Sequence, residues 1–425
     1  MTREAPVERS AGSGGQGAGL DAPLPIPRSP LPATDSPLPV PRFQTGTALG
    51  IAAGHFVHDT FASFMAPLLP LIIDKLGLSL ALAGALAAFQ QAPSLINPLL
   101  GAAADRVNLR RLIVLAPTVT AVAMSAIGLA PSYVALAVLL LVAGLSIAAW
   151  HVPAPAMLAR VSGRQVGLGM SFFMIGGELA YTVGPLLVTA ALGWWGLEGT
   201  WRLMPLGLVA SVIVHVSTRG LETRTPRRSA AVATGAGRQL LRVLLPLAAI
   251  VMLQGFMISS IGTYLPTFLT REGRSLLEAN AALSVIQAAG AIGVFITGPL
   301  SDRIGRRRIL ATLMVLGPLS MWLFLQARDW AIYPALFLVG LTAYSANPVM
   351  MALVQEHGRA WPATANGLYM AIQFAGRSLI IIAAGALADR WGLRLTYQWS
   401  TLVALCAVPF VFALPGRSKR VQTIN

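Results

Sequence analysis

Three titratable side chains lie close together in the first long apolar stretch of the chain, at His55, His58 and Asp59. Because His55 and Asp59 are four residues apart, they share one face of a helix, and His58 is the immediate neighbour of Asp59. An ionisable side chain in an apolar helix is costly unless it is paired or faces water, so these residues are candidates for function. Histidine changes charge near neutral pH, which favours a proton-binding site. The alternative is structural, with Asp59 bonded to a histidine or to backbone and holding the helix in place.

His55, His58 and Asp59 could also supply metal ligands. No further ligand accompanies them at a recognisable spacing, so the sequence predicts neither a metal ion nor another cofactor. It also lacks Gly-x-Ser-x-Gly and a phosphate-binding loop that ends in Lys-Ser or Lys-Thr. The sequence therefore predicts a protein that is not an enzyme and whose work is not driven by ATP.

A second candidate group is Trp150 and His151, which precede Pro153 and Pro155 in another apolar stretch. Proline bends a helix and leaves backbone carbonyl groups free, which is tolerated where a cavity or neighbouring helices satisfy them. We therefore expect a bent helix on which Trp150 and His151 contact a ligand. A hydrogen-bonded histidine at a helix crossing explains the pattern equally well.

Glu178 and Arg377 occupy nearly equivalent positions in two similar segments, Gly167–Leu179 and Gly367–Leu379. In one interpretation they form an ion pair that breaks during a conformational change. In the other, Arg377 faces a cavity and binds an anionic group such as a phosphonate or carboxylate, which its planar guanidinium suits. We expect cavity exposure with partial pairing, and we place Glu178 among the proton-coupling residues. A permanent bridge without a role in turnover is the remaining alternative.

The elements that position these residues are long and apolar. Hydrophobic residues make up 55% of the 425 residues and charged ones 11%, whereas a soluble domain has about 25% charged residues. Many stretches reach the roughly 20 residues that cross a bilayer as a helix. The predicted fold class is an all-α membrane protein with twelve transmembrane helices, at 46–73, 79–102, 110–130, 133–157, 166–192, 201–217, 242–269, 277–300, 308–327, 331–355, 363–387 and 396–415.

The net charge of +15 is distributed unevenly. Of the 31 Lys and Arg residues, 23 fall in the N-terminal tail and in alternate loops on one side, seven fall on the other side, and Arg377 lies inside a helix. Because basic loops stay in the cytoplasm, both termini are predicted to be cytoplasmic. Basic residues do not cluster with aromatic ones on a soluble face, so no nucleic-acid partner is expected. Arginine outnumbers lysine 29 to 2, which favours a GC-rich bacterial genome. The predicted location is the bacterial inner membrane.

The chain divides into two similar halves. A basic turn, Gly101-x3-Asp105-Arg106, returns 197 positions later as Gly298-x3-Asp302-Arg303, and the two similar segments described above are 200 positions apart. A Ser/Thr/Arg/Gly-rich stretch separates the halves. The predicted domains are a disordered cytoplasmic tail at 1–43, an N-terminal six-helix half at 44–218, a cytoplasmic linker at 219–240, a C-terminal six-helix half at 241–416 and a cytoplasmic tail at 417–425.

The basic turns indicate a role in gating. Glycine allows two helices to pack closely, and Asp302 can cap a helix end and pair with Arg303 or Arg306, which would join predicted helices 8 and 9 in one conformational state. Alternatively, the arginines only keep the loop in the cytoplasm. A similar fragment, Asp389-Arg390-Trp391-Gly392, falls on the other side, and we interpret it as coincidental. The gating residues expected from the turns are Gly101, Asp105, Arg106, Gly298, Asp302, Arg303 and Arg306.

Twelve spans, a long basic central loop and the segment Gly298-x3-Asp302-Arg303-x-Gly305-Arg306-Arg307 resemble the major facilitator superfamily, over residues 46–415. Several segments are similar to its fosmidomycin-resistance branch, namely Gly54-His55-Phe56-Val57-His58-Asp59, Ala149-Trp150-His151-Val152-Pro153 with Leu158–Arg164, and Met170–Leu179 with Gly184-Pro185. The chain departs from the family pattern at Asn108 and Leu109 in the first turn, at Leu140, where many proton-coupled antiporters carry arginine, and at Ala180.

The resemblance implies two pseudo-symmetric halves that rock around a central site and a secondary transporter that works as a monomer. Its partners would be a small-molecule substrate, protons and the lipid bilayer. The favoured function is a proton-coupled antiporter that exports a small drug-like or toxic molecule of anionic, phosphonate-like character. The first alternative is a proton-coupled importer or facilitator of a metabolite such as an organic anion, and the second is a membrane sensor or scaffold without transport.

The resemblance also extends the expected site. Polar positions on predicted helices 7 and 10 are expected to face the cavity, although such residues serve more often as packing contacts between membrane helices. Gly184 and Pro185 join the gating residues because they match part of an antiporter motif. The expected substrate-binding residues are His151, Trp150, Arg377, Tyr264, Gln254, Asn347 and Tyr344.

Overall fold

The structure is a computed structural model of the full chain. It describes residues 43–97, 99–100, 110–163, 165–221, 236–358 and 362–415, and within these ranges every regular element is helical. The predicted N-terminal tail through residue 42, most of the predicted linker, the C-terminal tail and the first basic turn with Gly101, Asp105 and Arg106 lie outside the described residues. The predicted all-α fold is confirmed.

Twelve helical segments follow one another in the described part of the chain. Eleven are long and apolar enough to cross a membrane, and the second is apolar but shorter. The predicted number of helices is therefore confirmed. The segments are α1 (Thr45–Leu76), α2 (Leu80–Ile96), α3 (Arg110–Leu129), α4 (Tyr133–Val161), α5 (Val166–Trp195), α6 (Glu198–Ser217), α7 (Ala236–Arg271), α8 (Leu276–Ile304), α9 (Arg306–Gln326), α10 (Asp329–His357), α11 (Pro362–Trp391) and α12 (Leu393–Ala413).

Helix α7 begins earlier than the sequence predicts. Its first residue is Ala236, whereas apolar character begins near residue 242. A helix satisfies its backbone hydrogen bonds within itself, so it can continue beyond the apolar span into a polar region. The predicted linker at 219–240 therefore includes the first turn of α7.

Because the helices alternate in direction, their ends form two faces of the bundle. We call the face that contains the start of α1 and the end of α12 the terminal face, and the opposite one the far face. The terminal face carries the arginines at the starts of α3 (Arg110 and Arg111) and α9 (Arg306, Arg307 and Arg308). The far face carries exposed tryptophans at Trp194, Trp201 and Trp330. Tryptophan is enriched where a membrane protein meets the lipid headgroups, so these side chains mark one membrane boundary.

The two halves, α1–α6 and α7–α12, meet along three helix pairs. Helix α2 packs against α11, α5 against α8, and the second part of α1 against α7. Glycine permits the first of these contacts, since a Cβ atom at Gly84 would lie 2.7 Å from the carbonyl oxygen of Ile381, and one at Gly385 would lie 2.4 Å from that of Leu80. Small residues allow membrane helices to approach to backbone contact.

Hydrogen bonds across this interface lie at the far face. The Asp389 carboxylate near the end of α11 accepts from the backbone amides of Leu80 at 2.7 Å and Ala81 at 2.9 Å, at the start of α2. The Tyr264 hydroxyl of α7 donates to the carbonyl oxygen of Leu80 at 2.9 Å and to that of Ile381 at 3.0 Å. These bonds hold α2, α7 and α11 together.

The partner pair α5 and α8 is joined in the same region. The Asn280 amide of α8 donates to the Thr189 hydroxyl of α5 at 2.8 Å. Among the described residues, every hydrogen bond between the two halves is made by Asp389, Tyr264 or Asn280, and the last also contacts the carbonyl oxygen of Pro67. None of these bonds lies at the terminal face. The bundle is therefore closed at its far face.

Four of the helices are interrupted inside the bundle. Helix α4 breaks at Val152, directly before Pro153, so the predicted bend is present there. In α10 a π-helical turn at Gly340–Tyr344 is followed by a break at Ser345. Helix α1 breaks at Ser63 and Phe64, and α12 at Cys406 and Ala407. Interrupted helices of this kind expose backbone and side-chain groups at binding sites in membrane transport proteins.

Candidate functional site

A compact group of titratable side chains joins α1 to α4. His55 Nε2 lies 3.1 Å from Asp59 Oδ2, His151 Nε2 lies 3.5 Å from the same oxygen, and the two Nε2 atoms are 3.4 Å apart. We call these three residues the His-Asp cluster. The spacing of four residues brings His55 and Asp59 together on α1, and the break after His151 ends the first part of α4 beside them.

The second ring nitrogen of each histidine is bound to backbone. His55 Nδ1 lies 2.7 Å from the carbonyl oxygen of Phe173, and His151 Nδ1 lies 3.0 Å from that of Ile147. Because a carbonyl oxygen only accepts, both Nδ1 atoms carry hydrogen, so a lone pair remains at Nε2 of each ring in its neutral form. With both rings neutral, three acceptor atoms converge, and a positively charged species between them removes their mutual repulsion.

His58 and Trp150 lie behind the cluster. The His58 ring stacks on Trp150 with centroids 5.2 Å apart, and both side chains are 0% exposed. Neither ring nitrogen of His58 has a hydrogen-bond partner, and Asp59 Oδ1 has none either. The complete burial of Trp150 contradicts its predicted contact with substrate, because a residue packed inside the α1–α4 contact cannot reach a ligand without a rearrangement.

Helix α5 closes the cluster from the other side with a glycine. A Cβ atom at Gly177 would lie 2.7 Å from His55 Cε1 and 3.5 Å from Asp59 Oδ2, so only glycine leaves room for the imidazole here. The next residue, Glu178, is half-buried and lines a cavity between the two halves. The segment Gly177-Glu178 therefore links the His-Asp cluster to that cavity.

Two neighbouring cavities lie between the halves. The larger has a volume of about 410 Å³ and the smaller about 140 Å³, and Tyr181, Gln287 and Arg377 line both. Ile147, whose carbonyl oxygen binds His151, lines the smaller one. The His151 side chain is 35% exposed, so the His-Asp cluster is accessible through this residue.

Glu178 and Arg377 both line the larger cavity, as the sequence led us to expect. No ion pair connects these two described residues, so the predicted partial pairing is absent in this conformation. Arg377 is exposed within the bundle and borders both cavities. Its guanidinium is therefore available to an anionic ligand.

The C-terminal half contributes neutral polar groups to the larger cavity. Asn347 Oδ1 accepts from the Tyr369 hydroxyl at 3.0 Å and from Gln373 Nε2 at 2.7 Å, which leaves the amide hydrogens of Asn347 for a ligand. Gln254 donates to the carbonyl oxygen of Ala343 at 3.2 Å beside the π-helical turn of α10. Gln254, Tyr344 and Asn347 all border this cavity, which agrees with their predicted location.

Tyr264 is located elsewhere. It is 0% exposed, its hydroxyl binds the two far-face carbonyl groups described above, and it borders neither cavity. The sequence interpretation of Tyr264 as a substrate contact is therefore wrong for this conformation. A helical tyrosine could point to the cavity or to the neighbouring half, and only the packing of α7 against α2 and α11 decides between them.

The second basic turn joins three helices at the terminal face. Arg306 at the start of α9 pairs with Asp302 of α8 and with Glu356 of α10, whose Oε1 lies 3.0 Å from Arg306 Nε. Asp302 was predicted to pair with Arg303 or Arg306. It pairs with Arg306, whereas the side chain of Arg303 is exposed. Gly305 between α8 and α9 has a φ of 110°, a conformation that favours glycine.

Gly298 does not play the part predicted for it. A Cβ atom there would meet nothing within 4 Å, so this glycine mediates no close helix contact in the present conformation. Gly184, in contrast, lies against the break of α1, where a Cβ atom would be 2.8 Å from the Thr60 carbonyl oxygen. Pro185 follows it in the interior of α5 and lines the smaller cavity.

Sequence reasoning missed Asp389 and Glu356. The fragment Asp389–Gly392 was interpreted as coincidental, yet Asp389 provides the polar contact between the ends of α11 and α2. Its signal was a carboxylate directly after an apolar span, together with the start of the second predicted helix, at Ser79, on the same face. Glu356, near the end of α10, had the opposite charge to the basic turn on the same face of the bundle.

Comparison with known proteins identifies the family. The sequence model of the Major Facilitator Superfamily matches residues 51–381. The fosmidomycin resistance protein of Escherichia coli K12 is 22% identical over 386 residues, covering 89% of this chain and 95% of that protein. An uncharacterized MFS-type transporter of Bacillus subtilis, YfnC, is 24% identical over 383 residues, covering 86% and 91%.

Solved structures of transporters share the fold. A bacterial homolog of the human lysosomal transporter Spinster, in an inward-facing and unoccupied conformation, aligns with a TM-score of 0.71 and 16% identity over 87% of this chain and 96% of that one. The inward-open xylose transporter XylE of Escherichia coli aligns with a TM-score of 0.69 and 14% identity over 89% and 97%. The chain therefore belongs to the Major Facilitator Superfamily and is a multi-pass membrane protein built for secondary transport by alternating access.

Proposed function

We propose that the protein is a proton-coupled antiporter that exports a small anionic, drug-like molecule from the bacterial cytoplasm. The observation that carries this proposal is the convergence of three acceptor atoms in the His-Asp cluster beside a cavity that contains Arg377. A proton placed on either Nε2 turns that nitrogen into a donor toward Asp59 and gives a charge-assisted hydrogen bond. The cluster thus gains a proton without any change in its fold.

Proton binding is coupled to the conformation of the bundle through the breaks in α1 and α4. Asp59 lies four residues before the break of α1, and His151 is the last residue before the break of α4. A protonated cluster attracts the first parts of α1 and α4 to each other, whereas a deprotonated one leaves three acceptors in contact. Since a ligand shifts a conformational equilibrium only by binding one state better, this difference is what couples protonation to the opening of the bundle.

The substrate site lies in the C-terminal half. Arg377 supplies a planar, permanently charged donor, and the amide groups of Asn347 and Gln254 supply neutral ones beside it. A cavity of about 410 Å³ has the size of small-molecule sites, which span roughly 300–1,000 Å³. The name of the Escherichia coli relative, fosmidomycin resistance protein, favours a drug-like molecule and export.

We assign the terminal face to the cytoplasm because it carries most of the arginines. With its far-face contacts made, the present conformation accepts substrate from the cytoplasm. Release on the other side requires that the contacts of Asp389, Tyr264 and Asn280 break, while the terminal ends of the two halves approach each other. The Arg306 pairs with Asp302 and Glu356 keep α8, α9 and α10 together as one unit during that motion.

The test is a susceptibility panel in an efflux-deficient host, followed by transport in everted membrane vesicles. Wild-type protein should confer resistance to anionic compounds, phosphonate antibiotics included, and should release protons from acidified vesicles when substrate is added. Asp59→Asn should abolish both effects. The matched control is Asp74→Asn, which removes an exposed carboxylate from the same helix.

Two results would contradict the proposal. Full proton-driven transport by Asp59→Asn would remove the His-Asp cluster from the coupling step. Substrate-dependent movement of protons in the same direction as the substrate would show symport, and hence the alternative of an importer of an organic anion.

A further inference from the structure

The distances within the His-Asp cluster match those of a metal site. His55 Nε2, His151 Nε2 and Asp59 Oδ2 are separated from one another by 3.1, 3.4 and 3.5 Å. The point in their plane that is equally far from all three atoms lies about 1.9 Å from each. Zinc lies about 2.0–2.1 Å from histidine nitrogen and about 2.0–2.2 Å from carboxylate oxygen, so an ion slightly above the plane of the three atoms satisfies all three distances.

The chemistry of the three donors fits as well. Two neutral imidazole nitrogens and one carboxylate oxygen form a ligand set that suits divalent zinc, cobalt, nickel and iron, and that leaves further coordination positions open. The two Nδ1–H groups bind the carbonyl oxygens of Phe173 and Ile147, which holds both rings in place and leaves the two Nε2 atoms as the metal-binding nitrogens. Such outer hydrogen bonds are a regular feature of metal-bound histidines, because they orient the ring and raise its basicity.

We propose that His55, Asp59 and His151 form a binding site for a single divalent transition-metal ion, represented by Zn²⁺. The sequence predicted no metal because no further ligand accompanies His55, His58 and Asp59 at a recognisable spacing, and in the structure His58 is not one of the three converging ligands. The fold supplies a further ligand, His151 of α4, from 92 positions after Asp59. Among the described residues, His55, Asp59 and His151 form the group of His, Cys, Asp or Glu side chains that could hold a metal ion. Their ligand atoms all lie within 4.8 Å of one another.

The surroundings allow an ion to enter and to be held. His151 is 35% exposed and lies beside the cavity wall at Ile147, whereas His55 and Asp59 are about 5% exposed or less. The absence of a side chain at Gly177 keeps α5 close without blocking the ring of His55. A divalent ion would leave the cluster with one net positive charge, and Glu178, one residue beyond Gly177, offers a compensating carboxylate in the adjoining cavity.

A metal ion and a proton would occupy the same space, because both need the lone pairs at Nε2. Binding of the ion therefore displaces the proton and holds α1 to α4 through three strong ligands. We expect Zn²⁺ to inhibit proton-driven transport, and this consequence rests on the proposed function, whereas the binding itself does not. Removal of metal by a chelator should leave proton-driven transport fully active.

The test uses the full-length protein, purified in detergent with an affinity tag free of histidine and stripped of metal. Titration with Co²⁺ should produce the visible absorption of a nitrogen- and oxygen-ligated ion at one ion per chain, and added Zn²⁺ should remove it. His55→Gln, Asp59→Asn and His151→Gln should each weaken binding by at least the roughly 10- to 100-fold that loss of an outer hydrogen-bond partner costs at other metal sites, because each removes a ligand itself. His151 is the least buried of the three, so His151→Gln is the variant that best preserves the fold.

The matched control is His357→Gln. His357 Nδ1 also lies 3.0 Å from the carbonyl oxygen four residues earlier, at Leu353, so it has the local geometry of His151 without the other two ligands. Unchanged Co²⁺ binding by His357→Gln, together with loss in His151→Gln, supports the site. Absence of saturable binding in the wild type, or equal binding by His151→Gln, overturns it. Neither result affects the transport assay in chelator, so the failure of one proposal is distinguishable from the failure of the other.

Discussion

The centres of the two halves occupy equivalent places in the fold and carry different chemistry. In the N-terminal half, the break in α4 places His151 against a buried carboxylate on α1. In the C-terminal half, the break in α10 places Asn347 among amide and hydroxyl groups that face a cavity. The first centre is built from proton acceptors, and the second from donors with the guanidinium of Arg377 beside them.

In the proposed mechanism, this difference gives the two centres separate tasks, which one symmetric site could not combine. A cluster of acceptors attracts cations, and a guanidinium with neutral donors attracts anions or polar molecules. The two centres are close enough to communicate, since Gly177 contacts the His-Asp cluster and the adjacent Glu178 shares a cavity with Arg377. Two repeats of one fold can thus keep their helix breaks at equivalent positions, in α4 and α10, while the polar side chains beside those breaks differ.

The largest effect is expected from Asp59→Asn, which should abolish coupling and leave substrate exchange intact. The amide cannot bind a proton near neutral pH, but the cavity residues of the C-terminal half are unchanged. Proton-gradient-driven transport should therefore fall to background, while counterflow of labelled substrate in proteoliposomes continues. Loss of counterflow as well would show that the two centres do not have separate tasks.

Arg377→Gln should weaken substrate binding and leave proton coupling intact, which is the reverse of the result expected for Asp59→Asn. Without the guanidinium, an anionic substrate loses a charged partner worth about 1.5–3 kcal/mol, so its apparent affinity should fall by roughly tenfold to a hundredfold in counterflow and in coupled transport alike. Arg377→Lys keeps the charge and loses the planar fork, so it should show an intermediate defect. Wild-type affinity in Arg377→Gln would place the anion elsewhere.

Asp389→Asn tests the contact that holds the two halves together. The carboxylate accepts from two backbone amides, and its neutralisation should shift the equilibrium toward opening at the far face by about tenfold, since a hydrogen bond to a charged group is worth about 1.5–3 kcal/mol. Ala66→Cys in a Cys406→Ser background provides a thiol that lines the smaller cavity. Labelling of this thiol by an impermeant reagent from the far face should become faster.

The control for Asp389→Asn is Asp329→Asn. Asp329 is also an exposed far-face carboxylate, but its partner, Arg274, lies in the same half. Its substitution should leave the labelling rate unchanged, and a similar acceleration in both variants would attribute the effect to surface charge.

The smallest effect is expected from Tyr369→Phe. Its hydroxyl is one of two donors to Asn347 Oδ1, and Gln373 remains as the other. A neutral hydrogen bond contributes about 1 kcal/mol, so substrate affinity should fall by only about fivefold or less, with coupling intact. Loss of coupling in this variant would mean that the C-terminal centre takes part in proton binding.

Much of the molecule was predictable because it depends on local pattern. The length of the apolar stretches determined twelve helices, since a bilayer demands roughly 20 apolar residues from each crossing. The spacing of His55 and Asp59 placed them on one helix face, and prolines marked the break in α4. The recurring basic turn and the repeated segment Gly167–Leu179 indicated two related halves and the family.

Contacts between distant segments were decided by the tertiary structure alone. Nothing in the sequence directs His151 toward Asp59, Tyr264 away from the cavity, or Asp389 toward residues 309 positions earlier. Each of these side chains sits on a helix whose rotation about its own axis is set by its neighbours, and apolar helices have no polar stripe that fixes that rotation. The sequence thus determines which helices form and which carry charge, and packing determines which charges meet.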